Sequence, residues 1–173
     1  NAKAVNFGIV YGIGDYSFSK DLHITRKEAK EYIENYLDTY KGIKQYMEDI
    51  VAIGKEKGYV ETIMNRRRYI PELKSKNYNV RSFGERVALN TPIQGSAADI
   101  IKVAMVKFYN RLNEEKLKAK LILQVHDELI VDCPKDEREK VLEIMKDVMT
   151  HAVDLKVDMK IDVNSADNWY DAK

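Results

Sequence analysis

Lys3, Phe7 and Tyr11 recur at four-residue intervals within KAVNFGIVYG, a spacing that aligns an ammonium, a phenyl ring and a phenol on one helix edge. Such an edge offers a cation to a phosphate and flat faces to a base or sugar. Gly8, beside the ring, removes a side chain where a neighbour can approach the backbone. An amphipathic helix with core-facing aromatics accounts for the same pattern, so this stretch alone leaves both readings open. Arg86, Asn90 and Gln94 repeat the spacing. Arginine suits phosphate, and two amides suit base edges or sugar oxygens. A third group, His126, Asp127 and Glu128, falls between two alternating apolar runs in LILQVHDELIVDC. A carboxylate mounted at a hairpin turn is a hard oxygen ligand suited to Mg²⁺, which takes one or two carboxylates and keeps waters for substrate phosphates. Phosphoryl-transfer enzymes often hold two such ions about 4 Å apart, which requires a further carboxylate near Asp127. Glu128 would point to the opposite face of an extended chain. A solvated turn and a metal site fit this spacing equally well.

The elements that position these residues read as α+β. A helix is expected to reach about Tyr11 and to break at Gly12 and Gly14, with a short helical piece near Tyr16 to Leu22. Thr25 with Glu28 reads as a capping box ahead of the stripe Ala29, Tyr32, Ile33, Tyr36, Leu37 and Tyr40, which Gly42 should end. A second stripe runs from Ile43 to Gly54, with Gly58 closing its helix. YVETIMNRRRYIP suggests a strand pair turning at Asn65, and ELKSKNYNVRS a polar loop. A long helix is expected from about Ser82 to Glu115, kinked or split by Pro92. The hairpin that follows should turn at Asp127 and Glu128, a turn lacking the Gly, Asn or Pro that tight hairpins favour. An amphipathic helix (Val141 to Ala152) and a strand near Met159 to Val163 complete the pattern.

The 173 residues carry 45% hydrophobic and 33% charged side chains, with no apolar run long enough to suggest a membrane span. No signal-like segment is present, and Cys133 is the single cysteine, so a reducing cytosol is the expected compartment. Net charge is only +1, but it is unevenly spread. Seven basic and two acidic residues lie between Ile63 and Arg86, while 13 acidic and seven basic ones lie from Asp127 to Lys173. A polyanion would be drawn to the first segment, and the second could hold cations or be simply solvated. Because the chain opens on Asn1 and not Met, further sequence is expected upstream.

KAVNFGIVYG, RRRYIPEL, ERVALNTPIQGSAADIIK and QVHDELIVD stand in the order found in family A DNA polymerases, and the resemblance runs on to the NWYDAK ending. It implies long helices of a fingers subdomain in residues 1–80, packed on a small antiparallel palm sheet with a metal-bearing β-hairpin in 81–173. It also implies template-directed DNA synthesis in replication and repair, with primer–template DNA and dNTP as partners, no membrane, a two-metal Mg²⁺ site and a bacterial cytoplasmic, nucleoid-associated setting. By resemblance Lys3 would contact the triphosphate and favour pyrophosphate departure. Phe7 would pack on the sugar and discriminate against sugars lacking the 3′-hydroxyl, with Gly8 and Tyr11 near the templating base. Arg86, Asn90 and Gln94 resemble the helix that follows the duplex, the amides reading minor-groove acceptors. His126 would sit by the primer terminus, Asp127 would be one of two catalytic metal carboxylates, and Glu128 would have a lesser catalytic role.

The chain departs from the family pattern in having no DYSQIE-like strand for the other metal aspartate, no thumb and no exonuclease segment. An arginine that precedes the motif lysine by four residues would fall before Asn1. These 173 residues alone are therefore expected not to polymerise, and the remainder of a polymerase chain is an expected partner. Two other readings are a non-catalytic nucleic-acid-binding module on the same scaffold and a metal-dependent phosphohydrolase built around His126 and Asp127.

Overall fold

The computed structural model describes residues 2–172, and the side chains of residues 5–172. Its helices are α1 (Ala2–Val10), α2 (Asp15–Leu22), α3 (Arg26–Thr39), α4 (Lys41–Lys57), α5 (Tyr78–Glu114) and α6 (Arg138–Thr150). Strands β1 (Tyr59–Glu61) and β2 (Arg67–Tyr69) form one antiparallel hairpin, and β3 (Lys120–Val125) and β4 (Glu128–Asp132) another. The chain divides after Ser96 into two compact units, each built around its own apolar contacts.

In the first unit, local signals set most boundaries. Gly12 adopts φ 76° and ends α1. Its N–H donates to Ile9 O and that of Ile13 to Gly8 O, both at 2.9 Å, the paired bonds of a Schellman cap. Thr25 caps α3 as expected: Glu28 N–H donates to Thr25 Oγ1 at 3.2 Å, and Thr25 N–H to Glu28 Oε2 at 2.8 Å. Val5, Ile9, Phe18 and Ala29 are buried together, joining α1, α2 and α3. Val60, Ile70, Leu73 and Ala88, with Ile50 and Val51, join α4, the β1–β2 hairpin and the start of α5. Gly58 (φ 80°) and Asn65 (φ 59°) take the left-handed positions their types favour.

Three local expectations change. Gly42 lies in the first turn of α4, and the break falls at Tyr40, with φ −103° and ψ 64°. Tyr40 N–H still donates to Tyr36 O while its own carbonyl accepts from Ile43 and Lys44, so one residue closes α3 and opens α4. The polar stretch after Ile70 is a 3₁₀ turn, Pro71–Lys74, followed after three residues by α5. Asn77 Oδ1 accepts from the N–H groups of Asn79 and Val80, a cap that starts α5 at Tyr78. Pro92 does not split α5, which remains one helix from Tyr78 to Glu114. Thr91 Oγ1 donates to Val87 O at 2.7 Å and Ser96 Oγ to Pro92 O, adding bonds on both sides of the one that proline removes.

In the second unit, Phe108 is fully buried among Ala104, Leu112, Leu129 and the α6 residues Val141, Ile144, Met145 and Val148. The β3–β4 ladder pairs Val125 with Glu128, so the two-residue turn is His126–Asp127 and not Asp127–Glu128. A register shift between Leu121 and Leu123 marks a bulge at Ile122. Met159 and Val163 pack on this core, but their segment forms no strand: alternation there reports burial without a ladder partner among the described residues.

Candidate functional site

Phe7 and Tyr11 lie one turn apart at the end of α1, their rings stacked with centroids 5.9 Å apart and planes 24° apart. Phe7 remains 50% exposed, so its ring lies at the surface, while Tyr11 is half-buried. The Lys3 side chain lies outside the described residues. At Gly8, a Cβ would meet the Ile13 methyl Cγ2 at 3.4 Å. What approaches the backbone there within this chain is Ile13, folded back by the Schellman cap.

The turn after α1 touches α5. A Cβ on Gly12 would fall 2.7 Å from Leu89 Cδ1 and 3.7 Å from Arg86 Cγ, so only glycine fits the approach without a shift. This brings the first and second sequence motifs into one neighbourhood. A cleft of about 530 Å³ opens beside the contact, with Leu37, Met47, Val51 and Leu89 as apolar lining and Lys44, Lys55 and Arg86 as cations. Arg86 is exposed, and its Nη1 donates to Ser82 Oγ at 3.2 Å.

Asn90 and Gln94, one and two turns further along α5, open into a different groove of about 290 Å³. Opposite them stand Thr62, Arg66, Arg67 and Arg68 of the β1–β2 hairpin. Arg66 Nη2 donates to Gly95 O at 3.1 Å. Arg67 pairs with Glu61 at 2.9 Å and lies over the Tyr59 ring, and these contacts raise its already high pKa further. Arg68 is exposed and pairs across the ladder with Val60. Asn90 Oδ1 is buried and has no hydrogen-bond partner among the described residues, an acceptor whose cost falls if a donor enters the groove. The arginine turn is the component missing from the site residues read off the sequence. The run Arg66–Arg68 and the local basic excess signalled it, but its meeting with Asn90 and Gln94 is a tertiary event.

His126, Asp127 and Glu128 are all exposed at the tip of the β3–β4 hairpin. His126 adopts φ 52°, a left-handed conformation at the turn position where glycine is usual, and its carbonyl accepts from Gln124 Nε2 at 2.6 Å. Backbone strain at this corner, beside an exposed carboxylate, is the kind that concentrates at functional sites. Among the described residues no three of His, Cys, Asp and Glu converge as a metal-binding group. Asp127 and Glu128 are hard oxygen donors with solvent around them, a donor set that fits a largely hydrated Mg²⁺. No helix among the described residues is long and apolar enough to cross a membrane.

A family model for DNA polymerase family A matches residues 1–171. DNA polymerase I of Bacillus subtilis (strain 168) is 60% identical over 172 residues, and that of Bacillus caldotenax 58% over 172, each covering 99% of this chain. The chain spans 20% of the length of these curated relatives. Among solved structures, the POL domain of Pol1 from M. smegmatis, in complex with DNA primer-template and dNTP, matches with a TM-score of 0.88 and 40% identity. That match covers 91% of this chain and 28% of the other.

Proposed function

The chain belongs to DNA polymerase family A, and we propose from this that it is the C-terminal portion of a template-directed DNA polymerase of replication and repair. The intact protein transfers a deoxynucleotidyl group from a dNTP to a primer 3′-hydroxyl and releases pyrophosphate. Residues 1–80 supply part of the fingers and 81–173 part of the palm. The bacterial cytoplasm, where the DNA lies, is its compartment. The observation that carries this reading is the family match from residue 1 to 171, which takes in every motif of the site.

The residues divide the work by their chemistry. Lys3 neutralises triphosphate charge. The stacked rings of Phe7, exposed, and Tyr11, half-buried, give sugar and base apolar faces, with Gly8 between them. Asn90 and Gln94 read acceptors in the minor groove from a groove whose arginines attract the backbone. His126 stands by the primer terminus. Asp127, with Glu128 in a lesser role, holds a divalent cation. Bound there, that ion supplies Lewis-acid stabilisation of charge on the reacting phosphate oxygens. The protein contributes alignment of the 3′-hydroxyl with the α-phosphate, and alignment carries much of such rate enhancements.

Primer extension by the intact protein tests the proposal. Templated synthesis that requires Mg²⁺ and stops on chelation is expected from the intact protein, and none from these 173 residues alone. An intact protein that binds primer–template and extends nothing would be the non-catalytic binding module. Templated synthesis by the 173 residues would overturn the assignment of the second metal carboxylate to another segment.

A further inference from the structure

Among the described residues, the turn joining β1 to β2 is fastened to α5 by an arginine side chain, by a close steric fit and, centrally, by a single hydroxyl. Thr62 organises the turn from within: its N–H donates to Arg66 O at 3.1 Å, and its Oγ1 accepts from the N–H groups of Met64 and Arg66 at 3.3 and 3.2 Å. Arg66 Nη2 reaches Gly95 O on α5. Ser96, only 8% exposed, donates its hydroxyl proton to Pro92 O and accepts from Ile63 N–H at 3.0 Å. Donation to Pro92 O fixes the hydroxyl, so that a lone pair faces the turn amide. A further fastening is steric. A Cβ on Gly95 would lie 2.6 Å from Thr62 Cγ2, a short side chain that is itself 5% exposed, so the turn sits down on the helix backbone only because residue 95 is glycine.

We propose that Ser96 is a positioning residue for DNA binding: its hydroxyl latches the Thr62–Arg66 turn onto α5, holding Arg66 and, on β2, Arg68 in one groove with Asn90 and Gln94. The inference rests on the polymerase reading above and adds to it how the basic wall of that groove is kept in place. Neither Ser96 nor Gly95 touches the groove's ligand through a charged group. Their effect passes through the arginines, whose backbone contacts fix register without reading sequence. Removing the hydroxyl leaves Ile63 N–H without its acceptor and releases one wall, while the amide wall on α5 stays.

The test compares the intact polymerase with its Ser96→Ala, Ser96→Thr and Gly95→Ala variants, using a primer–template duplex as the probe. Ser96→Ala is expected to weaken duplex binding about tenfold, the scale of one lost buried hydrogen bond. It should also flatten the dependence of log K on log salt by about one unit, one phosphate contact. The KM for DNA rises while kcat at saturating DNA stays near wild type, a split that a general loss of fold would not give. Ser96→Thr restores the hydroxyl and should restore affinity and slope. Gly95→Ala should reproduce the Ser96→Ala phenotype with the hydroxyl intact, and it carries the test if Ser96→Ala folds poorly. Exchange of the Ile63 amide, slow in wild type and Ser96→Thr and fast in Ser96→Ala, reads the latch without any activity assay. Unchanged affinity and salt slope in both Ser96→Ala and Gly95→Ala, or slow Ile63 exchange in Ser96→Ala, would overturn the latch. An intact wild-type protein that binds the duplex but extends no primer would instead sink the polymerase reading and leave the binding series still interpretable.

Discussion

Phe7 and Tyr11 stack one turn apart with their planes 24° from parallel, and half of the Phe7 surface remains open to solvent. A ring this exposed can be altered with little effect on folding. Phe7→Tyr in the intact protein therefore tests the proposed sugar contact. The added hydroxyl supplies a polar atom beside a sugar lacking its own 3′-hydroxyl. Incorporation of 3′-deoxy terminators relative to dNTPs should rise by about tenfold, the scale of one hydrogen bond. Competition between the two nucleotides in single-turnover extension measures it, and an unchanged ratio would place Phe7 away from the sugar.

At the other site the prediction is a separation of binding from chemistry. Asp127→Ala in the intact protein should lower incorporation on the order of 10³-fold, as when one preorganised charge is lost from a transition state. Primer–template affinity should change little. Equal loss of both, read by extension and by equilibrium binding, would assign Asp127 a structural role.

His126 occupies a left-handed turn position at φ 52°. His126→Gly removes the steric cost of that conformation, about 1 kcal/mol, so the hairpin should persist and the melting temperature should not fall. Extension should nonetheless decline if His126 stands by the primer terminus as proposed. A destabilised variant would mean that the histidine side chain holds the turn.

Hydrogen bonds from the Thr25 side chain and then its backbone hold the Glu28 carboxyl below its ordinary value of 4.5. A carboxyl depressed in the folded state stabilises α3 above the unfolded pKa, and that contribution disappears as pH falls through the folded one. Protection of the first-turn amides of α3 should therefore decline on acidification below about 4.5, and Thr25→Ala should abolish that step. Amide exchange followed over pH checks both, and a pH-independent first turn would refute the capping contribution.

Where a residue's own backbone preference settles the structure, the sequence was enough. Thr25 with Glu28, Gly58 and Asn65 each specify a cap or a turn through atoms a few bonds away, and each appears where expected. Asn77 carries the same kind of signal, but it stands in a polar stretch with no apolar stripe to draw the eye to a helix start. The hairpin was legible and its turn was not, because a histidine is held where local preference calls for glycine. Asn90 and Gln94 could be read as a helix edge. The arginines facing them could not, since Ile63 and Ser96 meet across 33 residues through packing that no local pattern encodes. Alternation from Met159 to Val163 recorded which side chains are buried but not whether a neighbouring strand exists to pair with.

Ile122 and Leu123, 60% and 45% exposed on a strand that among the described residues pairs with one other, carry a practical implication. Unpaired amides beside bare aliphatic groups form a sticky margin that recruits whatever β-structure drifts past. Expressed by itself, the polypeptide would cohere with its own copies before any question of enzymology arose. Planting a lysine at residue 122 would keep it dispersed.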